Sequence, residues 1–325
     1  MSISIAIWSR FAKAAALAAA MAAGAGAHAT VIDPNTPSSP FSGVVSINVQ
    51  YGANSFVCSG ALIGARSVVT SGSCVDTNGN GAAIDLNQAG NSVTVVFNSA
   101  GAATARIAVG TVTLNPNFKG FGICADGSTG CQGNDLAVLT LATAAPATAR
   151  IYSIASNPVT SGDTIVTAGY GMAGDGVSAA GAPSFTVKTT GANTADGFDI
   201  GADGKNDVFY ADFDGNGIDS FCTELQICHS GLPAGIESTI AAGDIGGPAF
   251  VLENGQLALA GVDTLVGTFA QYGDGQFGSY FGGVLLAGYT DFLTSALAVP
   301  EPGSVALMGL GVLMLAGARR RTRQD

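Results

Sequence analysis

Short runs of apolar and β-branched residues, separated by clusters of Gly, Asn, Asp and Ser, fill the chain between its two ends. Runs of about four to eight such residues, bounded by turn-forming residues, are typical of β-strands. Helical periodicity is nearly absent before residue 288. Examples of the strands that the pattern predicts are 43–49, 56–63, 67–71, 92–97, 105–114, 136–141, 163–170, 185–190, 248–252, 256–263 and 279–284.

This strand count predicts an all-β fold of two antiparallel barrels, closed by one short helix at 289–297. The segment 171–233 is rich in Gly, Asp and Ala, so we expect mostly loops there, and residues 30–41 form an extended lead-in. A coiled coil or a disordered chain is excluded, because 47% of the residues are hydrophobic and only 11% are charged. No period of about 20 to 50 residues repeats, which excludes solenoids and propellers.

The first 29 residues are typical of a secretory signal peptide. Arg10 and Lys13 precede a run of almost pure Ala, Leu, Met and Gly, which ends at Ala27-His28-Ala29. The alternative is a short membrane anchor, but the run is shorter than the ~20 residues that a bilayer span needs. We therefore expect signal peptidase to cut here and leave Thr30 at the front of the mature protein.

The last residues, 299–325, follow a different order. Pro300-Glu301-Pro302 precedes the apolar segment 304–318, which is followed at once by Arg319, Arg320, Arg321 and Arg323. Such a tail is a predicted transmembrane segment that stops in the inner membrane, with its arginines in the cytoplasm. It resembles the PEP-CTERM sorting signal of Gram-negative bacteria, which implies removal by an exosortase and release to the cell surface or exopolysaccharide matrix. The alternative is an anchor that is never cut.

Charge narrows the choice of partners. Without the two ends the chain has six basic and 21 acidic residues, a net charge of about −15. Binding to nucleic acid or anionic lipid relies on clustered Lys and Arg, which are absent here. Nucleic acid is therefore excluded as a partner, whereas the resemblance to the sorting signal implies exopolysaccharide or surface proteins as partners.

The six cysteines form three close pairs, Cys58 with Cys74, Cys124 with Cys131, and Cys222 with Cys228. Six cysteines allow fifteen connectivities, and we predict nearest-neighbour disulfides, in keeping with export. A metal site is the alternative. It is disfavoured because no pair has Cys-x-x-Cys spacing and His229 is the single imidazole after residue 29.

Three segments, in order, resemble the trypsin-like serine protease family. Residues 58–74 read CSGALIGARSVVTSGSC, similar to the family's Cys-x-Gly-x-Leu-Ile and Val-Leu-Thr-Ala-Ala-His-Cys. Residues 133–139 read GNDLAVL, similar to Asn-Asp-Ile-Ala-Leu-Leu, and residues 242–250 read AGDIGGPAF, similar to Gly-Asp-Ser-Gly-Gly-Pro. The resemblance implies a trypsin-like domain over 42–298, with two six-stranded barrels at about 42–145 and 160–288.

The chain departs from the family's pattern at the positions of the catalytic residues. Ser73 stands where the family has its general base, and Ile245 stands where it has its nucleophile. A serine protease needs a base within reach of a reactive hydroxyl, and Ile245 has no nucleophilic atom. Asp135, at the position of the orienting acid, has no imidazole to orient. Thr239 stands about where the family selects its substrate side chain, so no preference for Lys or Arg is implied.

The sequence thus predicts an inactive homologue, a pseudoprotease with a binding or structural role and no cofactor. The alternatives are an active serine-type endopeptidase, or an unrelated hydrolase that uses Asp135 with Asp244 or a bound metal. His229 could rescue activity by activating Ser73 or Ser230, whereas the simpler interpretation is a histidine on the surface.

Two further features are compatible with binding. The backbone N–H groups of Gly243 and Ile245 occupy the turn that forms the family's oxyanion hole, so they could hold a carboxylate or carbonyl oxygen; the alternative is a turn that only packs well. Asp244 pairs with a new amino terminus in active members. Here no basic residue precedes a matching cleavage sequence, so we expect backbone N–H groups or solvent to satisfy it.

The segment 212–219, DFDGNGID, resembles half of an oxygen-rich calcium loop, with Asp212, Asp214 and Asn216 as candidate ligands. The bidentate Glu of an EF-hand is missing, because Thr223 stands at position twelve and Glu224 follows it. Turn chemistry of Asp, Gly and Asn explains the pattern equally well.

Overall fold

The computed structural model describes residues 31–32, 39–99, 102–172, 186–229, 231–232 and 236–298. The predicted signal peptide, sorting tail and most of the lead-in lie outside these ranges. The chain divides into two units, Met1–Tyr289 and Thr290–Asp325. The second unit contains the predicted closing helix, which spans Thr290–Leu297. No described helix combines the length and the apolar character that a membrane crossing requires, and the segment 304–318 lies outside the described residues.

The first half of the fold is a closed antiparallel barrel of six strands. They are β2 (Val44–Tyr51), β3 (Asn54–Gly64), β4 (Ser67–Thr70), β5 (Ser92–Ser99), β6 (Ala102–Leu114) and β7 (Ala137–Leu141). Their order is β2-β3-β4-β7-β6-β5, and pairing of β2 with β5 closes the barrel. Successive side chains of a strand point to opposite faces, so Val45, Ile47 and Val49 all enter the barrel core.

The second half is an eight-stranded antiparallel sheet. It contains β1 (Val31–Ile32), β8 (Thr164–Gly169), β9 (Thr189–Thr194), β10 (Gly197–Ile200), β11 (Asn206–Asp212), β12 (Pro248–Glu253), β13 (Gln256–Thr268) and β14 (Ser279–Leu285). The order is β1-β9-β8-β12-β13-β14-β11-β10. Its core includes Phe209 and Phe281, whose rings meet edge to face with centroids 5.9 Å apart.

The mostly-β fold with a short C-terminal helix is confirmed, but the second half has two strands more than the predicted six. The extra strands, β1 and β10, are short and lie at the two edges of the sheet. The predicted strand at 185–190 corresponds to β9, which begins at Thr189.

The segment 171–233, where we expected mostly loops, also contains β9, β10, β11 and a helix, α1 (Ser220–Leu225); the closing helix is α2. The least expected of these is β9, which reads TTGANT and has all six residues buried, so small and polar side chains occupy a core strand. A search for large apolar residues cannot detect such a strand.

All three predicted disulfides are present. Cys58–Cys74 links β3 to the segment after β4, and Cys124–Cys131 and Cys222–Cys228 each close a short loop. Cys58 and Cys74 are buried in the barrel core, whereas the other four cysteines reach the surface at least in part.

Candidate functional site

The turn 241–247 lies where the barrel meets the second sheet. Ser59, on β3 of the barrel, donates its backbone N–H to the carbonyl oxygen of Ile245 at 2.9 Å. Its hydroxyl donates to the carbonyl oxygen of Gly243 at 2.8 Å and accepts the backbone N–H of Tyr170 at 3.0 Å. One buried serine thus attaches the turn to both halves of the fold.

Two glycines give the turn its shape. Gly243 and Gly246 have φ angles of 99° and 86°, in the region that favours glycine. A Cβ on Gly246 would stand 2.0 Å from Oγ1 of Thr70 and 2.5 Å from the carbonyl oxygen of Ser59. The local chain path therefore requires glycine at 246 for both its conformation and its space.

Asp244 is buried in this turn and receives backbone donors. Oδ1 accepts the N–H of Gly171 at 2.7 Å, and Oδ2 accepts the N–H of Ala241 at 3.1 Å. Burial raises the pKa of this carboxyl to about 6, although the two donors oppose the rise. The carboxylate is thus satisfied by backbone N–H groups, which is one of the two environments that the sequence suggests.

Ser73 and Asp135 are in contact. The backbone N–H of Ser73 donates to Oδ1 of Asp135 at 2.7 Å, and the Ser73 hydroxyl donates to Oγ of Ser71 at 3.2 Å. Asp135 is only 2% exposed, its Oδ2 accepts no hydrogen bond from a described residue, and burial raises its pKa to about 6. No imidazole among the described residues is hydrogen-bonded to Asp135, since the ring of His229 pairs with Ser161.

Ile245 is half-buried and its side chain packs against the hydrophobic cores of both halves. The Sγ atom of Cys74, the residue after Ser73, lies 3.3 Å from the carbonyl oxygen of Ile245. The segments that carry Ser73 and Ile245 are therefore neighbours. Ser73, Asp135 and Ile245 bring a hydroxyl, a carboxyl group and an alkyl group to this part of the fold.

The N–H groups of Gly243 and Ile245 have no hydrogen-bond acceptor among the described residues, whereas the N–H of Asp244 between them donates to the carbonyl oxygen of Ala241 at 2.9 Å. Gly243 is buried and Ile245 is partly open to solvent. Two N–H donors on one turn can hold an oxygen atom with partial or full negative charge.

The sequence reasoning missed Asp263. This residue lies on β13, is 1% exposed, and lines a small cavity with Asp244 and Thr239. Its Oδ1 accepts no hydrogen bond from a described residue, and burial together with the negative charge of Asp244 raises its pKa well above the usual range. The detectable signal was an acidic residue inside the apolar run 256–268.

His229 and the segment 212–219, called the acidic loop below, lie on other parts of the surface of the fold. The exposed ring of His229 shares a 2.9 Å hydrogen bond with the hydroxyl of Ser161, so the structure pairs it with neither Ser73 nor any carboxylate among the described residues. Ser230 lies outside the described residues. The acidic loop brings together Asp212, Asp214 and Asp219, whereas the predicted ligand Asn216 is exposed at its tip.

Comparison with protein families agrees with this architecture. The family model described as Trypsin matches residues 33–278, and the PEP-CTERM protein-sorting motif matches residues 298–321. No curated relative matches the chain. Among solved structures, the chain resembles the protease Anisep from Arthrobacter nicotinovorans at 18% identity, with a TM-score of 0.47, covering 75% of this chain and 90% of that one.

Proposed function

The chain belongs to the trypsin family, and we propose that it is a catalytically inactive member that acts by binding. Its sorting motif indicates an exported protein whose precursor is anchored in the membrane, processed by an exosortase and later located at the surface. The observation that carries the proposal is Ile245, a half-buried alkyl side chain where the family resemblance requires a reactive hydroxyl.

The absence of a base supports the same conclusion. Ser73 presents a hydroxyl beside Asp135, and a neutral hydroxyl cannot accept a proton at ordinary pH. In subtilisin, a serine protease of unrelated fold, loss of either the nucleophile or the base alone lowers the rate by a factor of about 10⁶. A chain that lacks both groups retains no efficient route to an acyl-enzyme.

The two catalytic alternatives have weaker support. An active endopeptidase needs an imidazole near Ser73 as a general base, but His229 is hydrogen-bonded to Ser161 instead. A hydrolase built on Asp135 and Asp244 needs carboxylates that reach a substrate, but both are buried and accept backbone N–H groups. Neither carboxylate is presented to solvent as a general base would be.

Hydrolysis assays test the proposed inactivity. The mature protein is incubated with casein and with a small thioester, and a trypsin-like enzyme is the positive control. We expect no turnover above the rate in buffer. Turnover that persists through repurification would overturn the proposal, and its loss with Ser73→Ala would place the reaction at the site formed by Ser73, Asp135 and Ile245.

For the binding role we propose that the N–H groups of Gly243 and Ile245 hold a carboxylate or carbonyl oxygen of a ligand. Acetate and a short peptide with a free C-terminal carboxylate are suitable probes, followed by amide chemical shifts in NMR spectra. Ile245→Pro removes one donor, and Ile245→Val is the matched control that keeps it. Equal shifts in both variants would exclude the turn as the binding site.

A further inference from the structure

The acidic loop that follows β11 brings three carboxylates close together, and the site around Ser73, Asp135 and Ile245 does not use them. Asp212, Asp214 and Asp219 each place one carboxylate oxygen within 4.8 Å of the others. Calcium–oxygen distances are about 2.3–2.6 Å, so two ligands on opposite sides of one ion are at most about 5 Å apart. The three oxygens therefore already satisfy the distance condition for sharing a single calcium ion.

Burial makes this group different from an ordinary acidic patch on a surface. Asp212 is only 5% exposed, and Oδ1 of Asp214 is buried without a hydrogen-bond partner among the described residues. Glu237 and Asp196, exposed by 5% and 8%, lie close enough for their charges to act on the same group. No Lys or Arg of the described chain forms an ion pair with these carboxylates.

So much buried negative charge without a counterion is costly. The charges of Asp212 and Glu237 act on both Asp214 and Asp196 and repel them. A divalent cation would remove this repulsion and would supply the missing partner of Asp214 Oδ1.

The surrounding hydrogen bonds hold the carboxylates in place while leaving oxygen atoms for an ion. Oδ2 of Asp212 accepts the N–H of Phe221 at 2.7 Å and the hydroxyl of Ser220 at 3.1 Å. Oδ1 of Asp219 accepts the N–H of Cys222 at 2.8 Å and caps helix α1. Each of these aspartates has a second carboxylate oxygen.

Glu237 acts as a positioning residue for the loop. Its Oε2 accepts the N–H of Asp214 and its Oε1 accepts the N–H of Leu232, both at 2.8 Å. Both oxygens are thus used to fix the backbone around the aspartates. Backbone carbonyls and water would complete the six to eight oxygen ligands that calcium takes.

We propose that Asp212, Asp214 and Asp219 form a calcium site that ties β11 to helix α1. Asp219 replaces Asn216 as the third side-chain ligand, because the turn at 215–218 folds Asp219 back toward Asp214 while Asn216 points to solvent. Extracellular calcium modules work with dissociation constants of about 10⁻⁴–10⁻³ M, so a weak site suffices in an exported protein. The proposal does not depend on whether the site around Ser73, Asp135 and Ile245 is catalytic.

Calorimetric titration of chelator-treated mature protein with CaCl₂ tests the site directly, and thermal melts in CaCl₂ and in EGTA report the same binding. We expect one equivalent to bind, and a calcium concentration of about 100 times Kd should raise Tm by roughly 5–10 °C. Absence of both binding heat and a Tm shift would overturn the proposal.

Variants assign the binding to these residues. Asp219→Asn removes a charge but keeps an N-cap side chain, and it should weaken calcium binding by roughly tenfold or more. Asp214→Asn should do the same. Asp203→Asn, which removes an exposed acid paired with Lys205 at 3.3 Å, is the matched control and should bind like the wild type. Equal affinity in all three variants, or equal loss in all three, would place calcium elsewhere.

Discussion

The backbone N–H of Ser73 donates to Oδ1 of Asp135 at 2.7 Å, so the buried acid binds the main chain of the residue that we place at the position of the family's base. The other oxygen of Asp135 accepts no hydrogen bond from a described residue. In the inactive homologue that we propose, the acid keeps its place although no described imidazole is hydrogen-bonded to it.

Restoring both missing groups should therefore restore some reactivity. Ser73→His combined with Ile245→Ser would put an imidazole beside Oδ2 of Asp135 and a hydroxyl on the turn. Since base and nucleophile act as a unit, we expect thioester hydrolysis about 10²-fold above the single variants. The control is Ser73→Ala with Ile245→Ser, which has a hydroxyl and no base. Equal rates in the two double variants would show that the imidazole is not positioned.

Asp263 should make the protein less stable as the pH rises. A buried carboxyl with a raised pKa binds its proton more tightly in the folded than in the unfolded state, so stability falls with rising pH between the unfolded and folded pKa values. Asp263→Asn mimics the protonated acid. We expect it to match the wild type near pH 4 and to be about 1–3 kcal/mol more stable at pH 8. Urea unfolding at several pH values measures this difference.

Asp244 and Asp135, whose pKa values are raised to about 6, act in the same direction between about pH 4 and pH 6. The wild type should therefore lose stability across this window as well. A constant difference between Asp263→Asn and the wild type from pH 4 to pH 8 would contradict a contribution of Asp263 to the loss of stability with rising pH.

Gly246 should not tolerate a side chain. Its φ is 86° and an added Cβ would stand 2.0 Å from Oγ1 of Thr70, so Gly246→Ala should cost roughly 3–5 kcal/mol of stability. The matched control is Gly255→Ala, which has a φ of 78° but no atom within 4 Å of the added Cβ. That variant should lose about 1–2 kcal/mol. If chemical denaturation showed similar losses in the free energy of unfolding for both variants, the turn at Gly246 would have to shift easily to accept the added Cβ.

The Cys58–Cys74 disulfide should contribute substantially to the barrel. It closes a loop with a sequence separation of 16, which corresponds to about 3 kcal/mol in the chain-entropy account. We expect the double substitution Cys58→Ala and Cys74→Ala to lower the free energy of unfolding by about that amount or more, because both positions are buried. An unchanged unfolding midpoint would contradict this role.

The sequence predicts the strands of the barrel well because large β-branched residues alternate there, as in β2, where Val45, Ile47 and Val49 face the core. Strand β9 escapes the same reasoning, since Thr, Gly, Ala and Asn carry no hydrophobic pattern although all its residues are buried. The motif segments around Ser73, Asp135 and Ile245 are recognisable because their order along the chain is specific.

The sequence does not predict which side chains from distant segments become neighbours. Asp263 and Asp244 line the same cavity although they come from different segments, and the register shift on β13 after Asp263 is not predictable from alternation along the strand. Asp219 joins Asp212 because the turn between them reverses the chain, so the spacing alone favoured Asn216. In both cases the chemistry depends on a local backbone path.

The most direct test of inactivity is labelling of the mature protein with a fluorophosphonate, followed by intact mass spectrometry. Only a serine activated by a neighbouring base reacts efficiently with this probe. We predict that the mass of the mature protein stays unchanged under conditions that label a trypsin-like control completely. A stoichiometric adduct on any serine of the folded protein would contradict the account, because it would reveal an activated nucleophile that the cleft around Ile245 does not contain.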